Sequence, residues 1–281
     1  MEYLALEPGG PPLVGLANGP VVEPFLARHD RLLDYVEVSF EQLRHNPVAA
    51  QLQEQIPVLL HCSSMSVAGF VPPTDQTLEA IAEHVDRTRT PWIGEHLAFI
   101  SADALGGDDA VGPTELTYTV CPQLSEETVE RVVVNLSCLR TRFSVPIILE
   151  NSPQYLALPG STMTMAAFVA QVAQRCDVDL LLDVTHFLIT ANNMGLDPIA
   201  SVHELPLERV VEVHLSGMSQ QSGRWWDDHA APVPDAVFDL LRQIRRRIRP
   251  KAVTFEYNWA PSMPESVIVD QIIFTRDLLA V

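Results

Sequence analysis

Short apolar runs that end in a titratable residue recur along this chain. Leu180-Leu181-Leu182-Asp183-Val184-Thr185-His186 shows the form most fully, with one carboxylate among apolar positions and an imidazole at the exit. Such a run fits a strand buried on both faces, as in a parallel sheet. Seven more runs read as strands: Pro11–Ala17, Tyr35–Phe40, Pro57–His61, Trp92–Phe99, Val145–Asn151, Arg209–Leu215 and Ala252–Glu256. Between them lie segments with helical spacing. Val21–Leu33 is one, and Thr74 caps another that runs to about Arg87 with Leu78, Ile81, Ala82 and Val85 on one face. Ser125-Glu126-Glu127 opens a helix to about Arg142, its buried stripe being Val129, Val132, Val133, Leu136 and Leu139. Thr164–Arg175, Pro234–Arg249 and Met263–Leu279 complete the set. Ser101–Gln123 and Ser216–Pro232 read as long loops, longer than simple connections need.

Eight strands alternating with helices predict an α/β protein, a single (β/α)8 TIM barrel over residues 1–281. An open doubly wound sheet fits less well, because the chain has no GxGxxG or P-loop turn. Active sites of such barrels lie at the carboxyl ends of the strands. Those ends read His61, His96, Glu150, Asp183, His214 and Glu256, with His186 and His229 just beyond on loops. An ionised carboxylate inside an apolar run costs several kcal/mol unless it is paired, and a metal ion is one partner that meets the need. Three or four imidazoles with three carboxylates form a ligand set for zinc, manganese or iron rather than calcium or magnesium. The donors exceed what one ion needs and suit two or three, with a carboxylate bridging.

Neighbouring residues refine the set. Glu95 and His96 are adjacent, so only one points inward. Glu37 is either a carboxylate supporting a ligand or half of an ion pair. Glu212 is in phase with His214 and lies deeper in the barrel. Asp227 and Asp228 read as solvated loop carboxylates, and Trp225 and Trp226 as loop packing.

The acidic balance, 36 Asp and Glu against 18 Lys and Arg for a net charge of -18, repels phosphate backbones and excludes nucleic acid as a partner. No apolar run approaches the length of a membrane span. The four scattered cysteines form no CxxC pair and read as reduced cytosolic thiols, which points to a cytoplasmic protein without a thiolate metal site.

Several motifs together resemble the multinuclear non-haem iron-dependent oxidative enzymes, a family that includes a methanobactin biosynthesis oxidase. The matching pieces are Val36-Glu37-Val38 with Glu41, Leu60-His61, Glu95-His96-Leu97-Ala98, Leu149-Glu150-Asn151 and Leu181-Leu182-Asp183-Val184. They continue through Asn193–Pro198, Glu212–Gly217 and Asp228–Val233. The resemblance implies a xylose-isomerase-like barrel holding two or three irons at its mouth and using dioxygen as cosubstrate. It implies modification of a ribosomally made precursor peptide, often at cysteine, with a partner protein that presents the peptide. It assigns ligand roles to His61, His96, Glu150, Asp183, His214, His229 and Glu256. The chain departs from the family pattern in three places: Thr185-His186 stands where many members have Asn-Asn, Ala230 where many have Asp, and Glu256-Tyr257-Asn258 where members often read Glu-Trp-Asp. His186 thus either adds a ligand or replaces an amide one. Three other functions are weighed on the residues alone: a metal-dependent sugar isomerase or epimerase using Glu150 and Glu256, a zinc phosphodiesterase of the abasic-site nuclease type, against which the net charge of -18 argues, and a non-catalytic barrel.

Overall fold

A computed structural model describes residues 4, 6, 9–20, 22–29, 31–102, 114–257 and 263–280. The chain opens with β1 (Leu13–Ala17), α1 (Val22–Arg28), β2 (Tyr35–Ser39), α2 (Phe40–His45), β3 (Val58–Cys62), α3 (Asp75–Thr88) and β4 (Ile93–His96). A hairpin of β5 (Phe99–Ala102) and β6 (Thr114–Val120) precedes α4 (Glu126–Leu139), β7 (Ile147–Glu150), α5 (Met165–Cys176) and β8 (Leu180–Asp183). Then come α6 (Val184–Met194), α7 (Pro198–Val202), β9 (Val210–Ser216), and a second hairpin of β10 (Met218–Gln221) and β11 (Arg224–Asp227). α8 (Asp235–Ile244), β12 (Ala252–Glu256) and α9 (Glu265–Leu279) end it.

Eight parallel strands close the barrel in the order β1-β12-β9-β8-β7-β4-β3-β2, as the alternation predicts. All eight expected strands are present. The expected helices from Thr74 and Ser125 start where their capping hydroxyls accept the Thr77 and Thr128 N–H groups.

Four expectations change. The run through His186 stops being strand at Asp183, whose carboxylate accepts the His186 N–H at 2.6 Å and so starts α6; His186 is on a helix, not a loop. The helix expected over 21–33 ends at Arg28, because the following turn brings Asp34 to the Val14 N–H at 2.7 Å. Both expected long loops contain antiparallel ribbons, β5–β6 and β10–β11, which satisfy backbone groups that a plain loop would leave to water. Residues 103–113 of the first lie outside the described residues.

Two apolar layers hold the barrel. The outer one packs strand residues such as Val36, Val38, Leu60, Leu182, Val213 and Phe255 against helix residues such as Ile81, Val132, Phe168 and Leu241. The inner one, Tyr35, Leu59, Trp92, Ile148, Leu181 and Ala252, fills the amino end of the barrel. Strand alternation then sends the next inward positions toward the carboxyl end: Glu37 after Tyr35, His61 after Leu59, Glu150 after Ile148, Asp183 after Leu181, Thr254 and Glu256 after Ala252. An apolar plug below and a polar mouth above therefore follow from one period-two pattern.

Candidate metal centre

Glu150, at the end of β7, is the hub of the mouth. One of its oxygens lies 3.3 Å from both His61 Nε2 and His96 Nε2, and the other lies 3.1 Å from His186 Nδ1 and 3.9 Å from His214 Nδ1. Glu256 Oε2 stands 3.3 Å from His214 Nδ1 and 3.8 Å from His229 Nε2. Asp183 Oδ2 is 3.6 Å from His186 Nε2. The six residues picked out at strand ends, and His186 and His229 picked out just beyond them, are thus brought to one face.

Asp227 joins them, against its reading as a solvated loop carboxylate. It ends β11, its side chain is only 13% exposed, and its Oδ2 is 3.0 Å from His186 Nε2 and 2.8 Å from His229 Nε2. The Ser216 hydroxyl donates to its other oxygen at 3.2 Å. No period-two pattern marks β11, whose order Arg224-Trp225-Trp226-Asp227 does not alternate, so the ribbon was not legible in the sequence. Asp228 instead accepts the Ala230 N–H. Gly217 lets the two segments meet: a Cβ there would lie 1.9 Å from the Ala231 carbonyl oxygen, so only glycine allows the 229–231 backbone to lie against the end of β9. Asn258, the departure in the eighth-strand motif, lies outside the described residues.

Among the described residues, four triads have ligand atoms all within 4.8 Å of one another: Glu37 with His61 and His214, His61 with His96 and Glu150, Glu150 with Asp183 and His214, and His186 with Asp227 and His229. Buried polar atoms are normally hydrogen-bonded. Here His61 Nδ1, both Glu150 oxygens, Asp183 Oδ2 and His214 Nδ1 are buried with no hydrogen-bond partner. The imidazoles approach Glu150 closely but without hydrogen-bond geometry. Nitrogen and oxygen donors packed together and left unsatisfied fit a cation.

The electrostatics agree. Burial alone would raise Glu150, but His96, His186 and His214 hold it down at about 2. Burial and the His96 charge push His61 down to about 4, so it stays neutral with a lone pair available. Burial raises Asp183 to about 7, with His186 opposing. Burial works against a charged His186, yet Asp183 and Asp227 outweigh it and hold this imidazole well above its usual range. His186 Nδ1 faces the Asn151 carbonyl at 3.0 Å; donating there leaves Nε2 turned to the two aspartates. Burial also lowers His229, but Glu256 and Asp227 carry it up to about 9.

The neighbours resolve as follows. His96 points into the mouth, and Glu95 points out into the wall, fully buried. Cys62 faces the helix layer with Glu41. Glu37 and Glu212 lie inside the barrel below His214, which sits 3.1 Å from Glu37. His29, His45, His84 and His203 lie away from the mouth on α1's exit, α2, α3 and α7's exit.

A closed eight-stranded parallel barrel with this mouth is a xylose-isomerase-like TIM barrel. The chain belongs to the RiPP precursor modification enzyme MbnB/TglH/ChrH family, which it matches over residues 14–269. A UPF0276 protein of Anaeromyxobacter sp. is 31% identical over 220 residues, 76% of this chain and 75% of the relative. One from Caulobacter vibrioides is 29% identical over 84% of this chain and 83% of its own. A Streptomyces avermitilis UPF0276 protein is 30% identical over 72% of this chain, which spans only 41% of that longer relative. Among solved structures, D-psicose 3-epimerase from Clostridium cellulolyticum superposes with a TM-score of 0.57 at 12% identity, covering 96% of this chain and 100% of that one. Endonuclease IV from Thermus thermophilus gives 0.55 at 17% identity, covering 95% and 99%. At these identities the structural likeness speaks for the fold alone. Among the described residues no helix is long and apolar enough to cross a membrane.

Proposed function

We propose that this chain is an iron-dependent, dioxygen-using oxidative enzyme that modifies a ribosomally synthesised precursor peptide, at cysteine or another residue of its C-terminal region. The observation that carries this is the set of orphaned, buried nitrogen and oxygen atoms on His61, Glu150, Asp183 and His214, in a chain of the precursor-modification family. His61, His96 and Glu150 would hold one ion. Glu150, Asp183, His214 and Glu256 would hold a second, and His186, Asp227 and His229 would hold a third. Bound ferrous iron supplies the electrons and the coordination position that dioxygen chemistry needs.

The chain's own residues prepare this site. Asn151 orients His186 through its carbonyl, and Ser216 orients Asp227. Tyr155 and Trp226 stack with ring centres 4.6 Å apart beside the Asp227 end and form a wall for the incoming peptide. A partner protein that presents the peptide belongs to this reading. So does a cytoplasmic location, supported by four free cysteines. The epimerase alternative, with Glu150 and Glu256 moving a proton, is favoured only by barrel likeness.

The test is anaerobic reconstitution with ferrous iron, followed by air and mass spectrometry of the cognate peptide. Two or more irons per chain and a changed peptide mass are expected. Less than one iron per chain, or sugar epimerisation without oxygen uptake, overturns the proposal.

A further inference from the structure

Below the mouth, inside the barrel, lies a buried polar cluster that none of the roles above uses. Trp92 Nε1 donates to Glu212 Oε2 at 2.7 Å, and the Thr254 hydroxyl reaches Glu212 Oε1 at 3.1 Å. The Tyr35 hydroxyl meets Thr254 Oγ1 at 2.8 Å. Trp92 and Thr254 thus face the two oxygens of Glu212, with Thr254 Oγ1 also 3.3 Å from Glu37 Oε2, and the 3.6 Å separation of Glu212 from His214 Nε2 is too long for a hydrogen bond. Glu37 differs. Its Oε2 lies 3.1 Å from His214 Nε2, within hydrogen-bond reach, and it comes from β2, three strands round the barrel from β9.

His214 is fully buried, and its two nitrogens face different surroundings. Nε2 faces Glu37, while Nδ1 has no hydrogen-bond partner and faces Glu256 and Glu150. A neutral imidazole has one N–H and one lone pair, and the partner of the first decides where the second points. We propose that Glu37 is a positioning residue: by accepting the Nε2 proton of His214 it leaves Nδ1 as the lone pair aimed at the ion held with Glu150, Asp183 and Glu256. This rests on the metal-centre reading above. It also accounts for a carboxylate in the barrel interior, where an apolar side chain would fill the space at lower desolvation cost.

Zinc serves as a diamagnetic probe. The full chain, labelled with 15N-histidine and loaded with zinc, is examined by NMR, with His214→Ala identifying the His214 signals. The wild type should show Nδ1 bound to zinc and a far-downfield Nε2–H proton. In Glu37→Gln that proton should move upfield, and the affinity for one zinc should fall about 10–100-fold. Glu212→Gln, whose partners are Trp92 and Thr254, should leave the proton in place. Zinc on Nε2 in the wild type overturns the inference without any variant, so a failure of Glu37→Gln to fold does not protect it. Full zinc affinity and an unshifted proton in Glu37→Gln also overturn it. If instead His214→Ala binds zinc and iron as well as the wild type, the metal-centre reading itself fails.

Discussion

Gly94→Ala tests the geometry of the mouth most sharply, because it adds a single carbon. Gly94 pairs with His61 across β3 and β4. A Cβ on Gly94 would lie 2.7 Å from His61 Nδ1 and 3.1 Å from Leu181 Cδ1. Against an ordinary contact of roughly 3.5 Å, the first distance is short by about 0.8 Å. The ring has little room to yield, since His96 Nδ1 is 3.2 Å away and Glu150 Oε2 is 3.3 Å away on its other nitrogen. Overpacking of this kind costs about 1–3 kcal/mol, which for a chain of this size lowers Tm by about 2–6 °C. Ligand placement tolerates only about 0.5 Å, so ferrous iron at the His61 triad should bind at least about tenfold more weakly. The assays are calorimetry on metal-free protein and anaerobic titration with ferrous iron. A variant with Tm within about 1 °C of the wild type and unchanged iron affinity would refute the reasoning, since His61 would then either sit elsewhere or hold nothing.

Other outcomes follow from the same structure. Glu95 is buried in the wall, and burial together with the Glu41 charge holds its carboxyl well above the usual carboxylate range. The folded protein keeps this proton while the unfolded chain loses it in the usual carboxylate range, so stability falls as pH rises from there toward the folded value. Glu95→Gln removes that loss, and its Tm advantage over the wild type in metal-free protein should widen from pH 5 to pH 8; a constant difference would show that Glu95 is ionised. Asp227→Ala should release the ion of the His186–His229 group and lower the iron count by one per chain while the His61 group keeps its ion; an unchanged count sinks that assignment. Iron at a hundredfold excess over its dissociation constant should stabilise the fold by about 2.7 kcal/mol, read as a rise in Tm that a chelator reverses; no shift on loading argues against a native-state ion.

Much of the barrel was legible because its strands are short apolar runs bounded by helices with clear stripes. The cap at Asp183, the early end of α1 and the two ribbons within the long loops were not. Asp183 shows why: within a strand it reads as one inward carboxylate, yet the same side chain also accepts the His186 N–H and turns the chain into α6. A residue that serves two local structures shows only one of them to a pattern search. Asp227 was missed for a related reason. Its ribbon is part-buried to exposed along its length, and hydropathy does not separate such a ribbon from a solvated loop.

The order of the residues by itself determined the eight barrel strands, the closed architecture and the identity of the groups at the barrel-strand ends. Those depend on periodicity, which is local. Only the tertiary structure decided which groups meet. Strand order brought Glu37 beneath His214, and Gly217 let the 229–231 segment dock so that Asp227 and His229 reach His186. Such pairings join positions far apart in the chain, and no local pattern encodes the distance between them.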